Sequence, residues 1–198
     1  LFVVLCVKKA NFIITVSDTT RKAILDLLDF SPESIDVTLE GISQNLSVDN
    51  NDGEYIFEKY HLPRNYMLYV GVIEKTKQVE SIVRAFSLLD DSLQKNYAIV
   101  IAGNKGNAYE DVKSAVHDCK LAEKVFFLGY VQDCDLKYLY KKTKVFVFPS
   151  LIEGFGLPVL EAMGHGIPVI ASDIPVISEV AGDAAILVDP YDITAFRD

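Results

Sequence analysis

The chain has 198 residues, half of them hydrophobic and 24% charged, with only seven prolines, which argues against a disordered protein and allows a sizeable buried core. Its formal net charge of −9 argues against a nucleic-acid partner or a strongly basic membrane face. Any phosphate it binds must be held by local donors rather than by an overall field. The three cysteines, Cys6, Cys119 and Cys134, show no CxxC spacing and read as reduced thiols of a cytoplasmic protein, outside any disulfide framework or zinc site.

Residues 1–7 are apolar but stop at Lys8-Lys9, far short of the ~20 residues that span a bilayer, so they read as a core helix severed from its domain, with a truncated signal or membrane segment as the alternative. Residues 12–16 read as a strand, Ser17-Asp18-Thr19-Thr20 as a helix cap and residues 21–28 as a helix. The polar stretch 44–53 reads as a linker. Short apolar runs then alternate with helical patterns, with strands expected at 67–70, 98–102, 125–128, 145–148, 169–171 and 185–188. The helix after the first of these places Val79, Ile82, Val83, Phe86 and Leu89 on one face, and Val112, Ala115, Val116 and Cys119 repeat the pattern on the next. This alternation predicts an α/β fold, a doubly wound, Rossmann-like parallel sheet with its ligand crevice at the carboxyl ends of the strands. The chain starts at Leu1 without an initiator methionine and stops at Asp198 where a new helix begins, so a fragment of a longer protein is expected.

Glycines gather at the expected strand ends: Gly71, Gly103 with Gly106, Gly129, and Gly154 with Gly156. Their shared position suggests backbone making room for a ligand, although tight turns alone would explain any one of them. The richest segment runs from Ser150 to Met163, where a strand feeds a glycine turn and Pro158 suits a helix start. The unpaired N–H groups of such a start favour phosphate. Glu153 and Glu161, eight positions apart, bracket that turn. A phosphate at the helix start would repel Glu161, which should turn aside toward neutral hydroxyls such as those of a ribose. Lys77 stands near a helix start, where a cation is disfavoured by about 0.3–1 kcal/mol unless an anion binds beside it. Asp133-Cys134-Asp135 spells a DxD pattern able to hold a divalent ion, but its position before Leu136, Leu139 and Tyr140 reads better as a helix cap and a first-turn acid. His61, His117 and His165 are scattered, and His165, between two glycines, reads as a helix-end residue.

Taken together, these blocks resemble a retaining nucleotide-sugar glycosyltransferase of the GT-B fold, in the large family 4 group (glycosyl transferases group 1), chiefly its mannosyltransferase-like members. The resemblance rests on Tyr69-Val70-Gly71-Val72-Ile73-Glu74, Ile101-Ala102-Gly103, Phe127-Leu128-Gly129-Tyr130-Val131, and the Glu-x7-Glu signature from Glu153 through Gly154, Phe155, Gly156 and Leu157 to Glu161. It implies residues 1–45 as the tail of an acceptor-side domain with its connector, and 46–198 as a donor-binding domain. It further implies that Glu153 contacts the donor sugar, that the backbone from Gly154 to Leu157 serves sugar and diphosphate, that Glu161 binds the ribose and that Lys77 binds phosphate. Gly71, Gly103 and Val131 join the substrate-binding set. Many relatives carry an arginine just before the lysine or directly after the strand-end glycine, where this chain has Thr76 and Val72.

The implied reaction moves a sugar from a donor such as GDP-mannose or a UDP-sugar to a hydroxyl, without a bound metal or other cofactor, in polysaccharide or glycoconjugate synthesis. Glu153 and Lys77 would be its catalytic residues. The acceptor, a sugar or a lipid-linked one, would be reached through the N-terminal domain. No membrane span is expected, and the implied location is cytoplasmic or peripheral at the cytoplasmic membrane face. A catalytically inactive nucleotide-sugar-binding module and a GT-B epimerase are the alternatives; a phosphorylase would need a cofactor-bearing lysine, and nothing marks Lys105 or Lys144 as one.

Overall fold

The computed structural model describes residues 7, 9–42 and 53–198. Most of the opening apolar run and of the expected linker lie outside the described residues. Strands β1 (Ile13–Thr15) and β2 (Ile35–Val37) pair in parallel, Ile13 opposite Ile35, with α1 (Asp18–Leu27) between them. Helix α1 begins earlier than the sequence predicts because Ser17 alone caps it: the Thr20 amide donates to Ser17 Oγ at 3.1 Å. The cap residues Asp18, Thr19 and Thr20 thereby become its first turn.

The main sheet contains β3 (Tyr66–Val70), β4 (Ala98–Ala102), β5 (Val125–Gly129), β6 (Val145–Phe148), β7 (Val169–Ser172) and β8 (Ile186–Val188). Each lies within one residue of its predicted limits. The spatial order is β5-β4-β3-β6-β7-β8 and every pair is parallel. The chain builds outward from β3 to β5, returns to pair β6 with β3, and builds outward again on the other side. This is the doubly wound order whose reversal point, here between β3 and β6, opens a crevice at the carboxyl edge. All five residues of β4 are buried, as a strand covered on both faces requires.

The connecting helices are amphipathic. Helix α3 (Val79–Ser87) turns Val79, Ile82, Val83 and Phe86 inward and packs against α5 (Tyr109–Asp118) and α9 (Ile193–Arg197). At nine residues it is too short to persist alone, so side-chain burial, about 1.5–3 kcal/mol for each fully buried large aliphatic or aromatic, holds it in place. Helix α4 (Asp91–Asn96) is capped by Asp90.

The DxD pattern has a structural use. Asp135 is the third residue of α6 (Asp133–Lys142) and its side chain is 3% exposed. It accepts hydrogen bonds from the hydroxyls of Tyr55 and Tyr60 and from Lys59 Nζ, each at 2.6 Å, clipping α2 (Tyr55–Lys59) to α6. Asp133 is the first residue of α6 rather than its cap, which is Gln132. Burial alone would raise the Asp135 pKa, but Lys59, Tyr55 and Tyr60 together hold it below the usual aspartate value.

Replacing Asp135 by alanine takes the acceptor from three donors, of which Lys59 is half exposed, and should cost about 1–3 kcal/mol in a urea unfolding series. A depressed folded-state pKa stabilises above the unfolded value, and that stabilisation is lost as pH falls through the folded one. The wild type should therefore lose its advantage over Asp135→Asn progressively below about pH 4, read as the difference in Tm between the two proteins.

Candidate functional site

At the carboxyl edge the loops after β3 and β6 are tied together across the reversal point by the Leu151 amide, which donates to the Thr76 carbonyl at 2.8 Å. The loop after β3 forms a tight turn at Lys75–Lys77, and Gln78, with φ of 44°, separates it from α3. Lys77 thus ends this turn two residues before α3, near a helix start as the sequence predicts. Its Nζ reaches Glu153 Oε1 at 2.6 Å, and the two side chains are 21% and 12% exposed. The expected donor-sugar carboxylate and the expected phosphate lysine are therefore direct partners.

Gly156 precedes α7 (Leu157–Gly164) with φ of 103°, a conformation that calls for glycine, and a Cβ there would require the tip of Ile177, 2.6 Å away, to shift. Pro158 is the second helical residue, where its missing N–H costs nothing. Phe155 is buried. Among the described residues the amides of Gly154, Phe155, Gly156 and Leu157 have no hydrogen-bond acceptor, and no side chain caps α7. These four donors, with the positive end of the helix behind them, suit an anion.

The carboxyl ends of β3, β4 and β5 border a cleft of about 300 Å³ lined by Gly71, Gly103, Tyr130, Val131, Asp133 and Leu136. It brings together three of the predicted binding residues, Gly71, Gly103 and Val131. The β3 and β4 ends approach so closely that a Cβ on Gly103 would lie 1.8 Å from the Gly71 carbonyl oxygen. Glu161, on the second turn of α7, accepts a hydrogen bond at Oε2 from the Tyr140 hydroxyl at 2.8 Å.

Several residues of this neighbourhood carry no sequence signal for the role they take. Tyr140 reads from its spacing as an apolar-face residue of α6, yet its hydroxyl meets Glu161. His165 caps α7 as predicted and in addition hydrogen bonds through Nδ1 to the Glu161 carbonyl at 2.8 Å. Ser17 is fully buried and donates to the Gly154 carbonyl at 3.1 Å, while Glu179, on α8 (Pro175–Ala181), accepts from the amides of Asp18 and Thr19 at 2.7 and 2.8 Å. The start of α1 is in this way fastened to the glycine turn and to α8.

Residues 54–198 match the glycosyl transferases group 1 family. The chain belongs to that family. It is 35% identical over 189 residues to O-antigen chain mannosyltransferase B of Escherichia coli, covering 94% of this chain and 49% of that protein. It is 32% identical over 186 residues to the O-antigen chain mannosyltransferase RfbU of Salmonella typhimurium, again 94% and 49%. The chain thus spans about half the length of these relatives. Among solved structures it is similar to Anabaena HepE in complex with UDP and glucose, with a TM-score of 0.82 at 19% identity over 95% of this chain and 52% of that one. This likeness places the fold among GT-B glycosyltransferases. No helix among the described residues is long and apolar enough to cross a membrane.

Gly103 and Gly154 should separate packing from ligand contact. Gly103→Ala drives a methyl into backbone and should lose roughly 3 kcal/mol or more of unfolding free energy. Gly154→Ala meets nothing within 4 Å and has no positive φ, so its urea midpoint should stay close to that of the wild type.

Proposed function

We propose that this chain binds a nucleotide-diphosphate sugar at the carboxyl edge of its main sheet, for retaining transfer of the sugar to a hydroxyl acceptor in polysaccharide synthesis. One observation carries the reading: four unpaired amides at the start of α7 lie on the same loop as Glu153, whose carboxylate holds the ammonium of Lys77. The mannosyltransferase relatives and the UDP and glucose bound by HepE support the donor class. Residues 46–198 form the donor-binding domain in this reading, and residues 1–45 the end of an acceptor-side domain with its connector.

The pyrophosphate of the donor sits against the amides from Gly154 to Leu157. Its charge competes with Glu153 for Lys77, so the ammonium turns toward phosphate and the Glu153 carboxylate is released to the hydroxyls of the sugar. As the bond from the anomeric carbon to the diphosphate oxygen breaks, negative charge gathers on the leaving group. Fixed amide dipoles and the Lys77 cation stabilise that charge more than they stabilise the ground state. The same groups supply the neutralisation that a divalent ion would otherwise bring, so no metal is assigned to the reaction. Gly71, Gly103 and Val131 shape the cleft beside the pyrophosphate, and Glu161 takes the ribose hydroxyls. The acceptor, a sugar or a lipid-linked one, approaches from the other domain, and the reaction is placed in the cytoplasm or at its membrane face. The present chain is expected to bind donor without transferring it.

Calorimetric titration with GDP- and UDP-linked sugars tests this reading. At least one donor should release heat, and Lys77→Ala and Glu161→Ala should each weaken that donor about tenfold or more, the loss of a charge-assisted contact. Absence of binding by every donor would reject the proposal.

A further inference from the structure

The geometry points to Tyr140 as a positioning residue that fixes the Glu161 carboxylate for a ribose diol, so that preference for ribonucleotide over deoxyribonucleotide donors depends on a tyrosine that touches no donor atom. This inference rests on the assignment of Glu161 to the ribose.

Tyr140 is 1% exposed, in the last turn of α6. A hydroxyl at that depth requires an acceptor, and the one it has is Glu161 Oε2 at 2.8 Å. Its ring cannot swing away. His165 stacks on one side, with centroids 5.3 Å apart and planes 19° apart, and Phe146 lies tilted at 5.6 Å. Burial, followed by the charge of Glu161 and the hydrogen bond to it, pushes the Tyr140 pKa well above the ordinary tyrosine value, so the phenol remains a donor at every working pH.

Glu161 is held at a second point. Its carbonyl accepts from the His165 amide at 3.1 Å and from His165 Nδ1 at 2.8 Å, which places the ring proton on Nδ1. With the backbone and Oε2 both fixed, the side chain of Glu161 has little rotamer freedom left to lose. An ionised carboxylate accepts about four hydrogen bonds, so Oε1 and the remaining lone pair of Oε2 stay available to a pair of vicinal hydroxyls. Such a fixed acceptor recognises a diol at lower entropic cost than a mobile one. A donor that lacks a hydroxyl leaves the carboxylate unmatched beside an immovable phenol. Selectivity for ribose is therefore set by the Tyr140 to Glu161 contact more than by Glu161 alone.

The test compares GDP with 2′,3′-dideoxy-GDP, and UDP with its dideoxy analogue, by calorimetry on wild type, Tyr140→Phe and Glu161→Gln. The wild type should bind the ribonucleotide about tenfold more tightly than the dideoxy form, and Tyr140→Phe should shrink that ratio to about threefold or less while leaving the dideoxy affinity unchanged. A tyrosine that merely supports the fold would weaken both nucleotides alike, and that result, or an unaltered ratio, overturns the inference. A second measurement needs no variant: with ¹³C-labelled tyrosine, the Tyr140 Cζ resonance should move on adding GDP and stay in place on adding the dideoxy form. Movement with both or with neither overturns the inference equally. If Glu161→Gln and wild type show the same ribose ratio, the ribose role of Glu161 itself fails. If Glu161→Gln loses the ratio and Tyr140→Phe keeps it, only the role of Tyr140 fails.

Discussion

The parallel pairing of β3 with β6, Met67 opposite Val145 and Leu68 opposite Phe146, constrains everything at the carboxyl edge. These strands are far apart in sequence and neighbours only because the chain reverses its direction of sheet growth between β5 and β6. Their following loops meet across the reversal point. The bond from the Leu151 amide to the Thr76 carbonyl closes that distance, and the Lys77 to Glu153 pair forms one residue further along the first loop and two further along the second. Beneath the loops, stacked rings of Tyr69, Phe148 and Phe146 fill the two central strands and give them a rigid floor.

The charge arrangement follows from that floor. An acidic protein of net charge −9 offers no long-range attraction to a diphosphate, so attraction has to be assembled within a few ångströms. In the proposed donor-binding reading, four amides with fixed directions provide it without further cations. Pairing Lys77 with Glu153 spares a mostly buried ammonium from standing uncompensated. Exchange of one anionic partner for another costs less than creating a bare charge would.

The main sheet was almost wholly legible in the sequence, because strands buried on both faces must be continuous apolar runs and their glycine-rich ends mark where the backbone turns. The glycine turn at 154–157 was legible for the same reason. Contacts that join distant segments were not. Asp135 reads as a first-turn acid because Tyr55, Lys59 and Tyr60 lie some 75 to 80 residues away and meet it only through packing of α2 on α6. Tyr140 reads as core, which its ring is; only the three-dimensional position of its hydroxyl reveals the tie to Glu161. Lys77 does lie near the helix start, but nothing in its neighbourhood signals that Gln78 adopts a left-handed conformation between the Lys75–Lys77 turn and α3.

Ser17 has two attachments that bear on motion. Its hydroxyl caps α1 and also grips the Gly154 carbonyl, with Thr20 Oγ1 at 3.4 Å from the same oxygen, while Glu179 clasps the amides at the start of that helix. A displacement of the β1–α1–β2 unit would have to break a partly buried hydrogen bond, worth about 1 kcal/mol, or drag the glycine turn with it. The first turn of α1 and the glycine turn are thereby held in a single register.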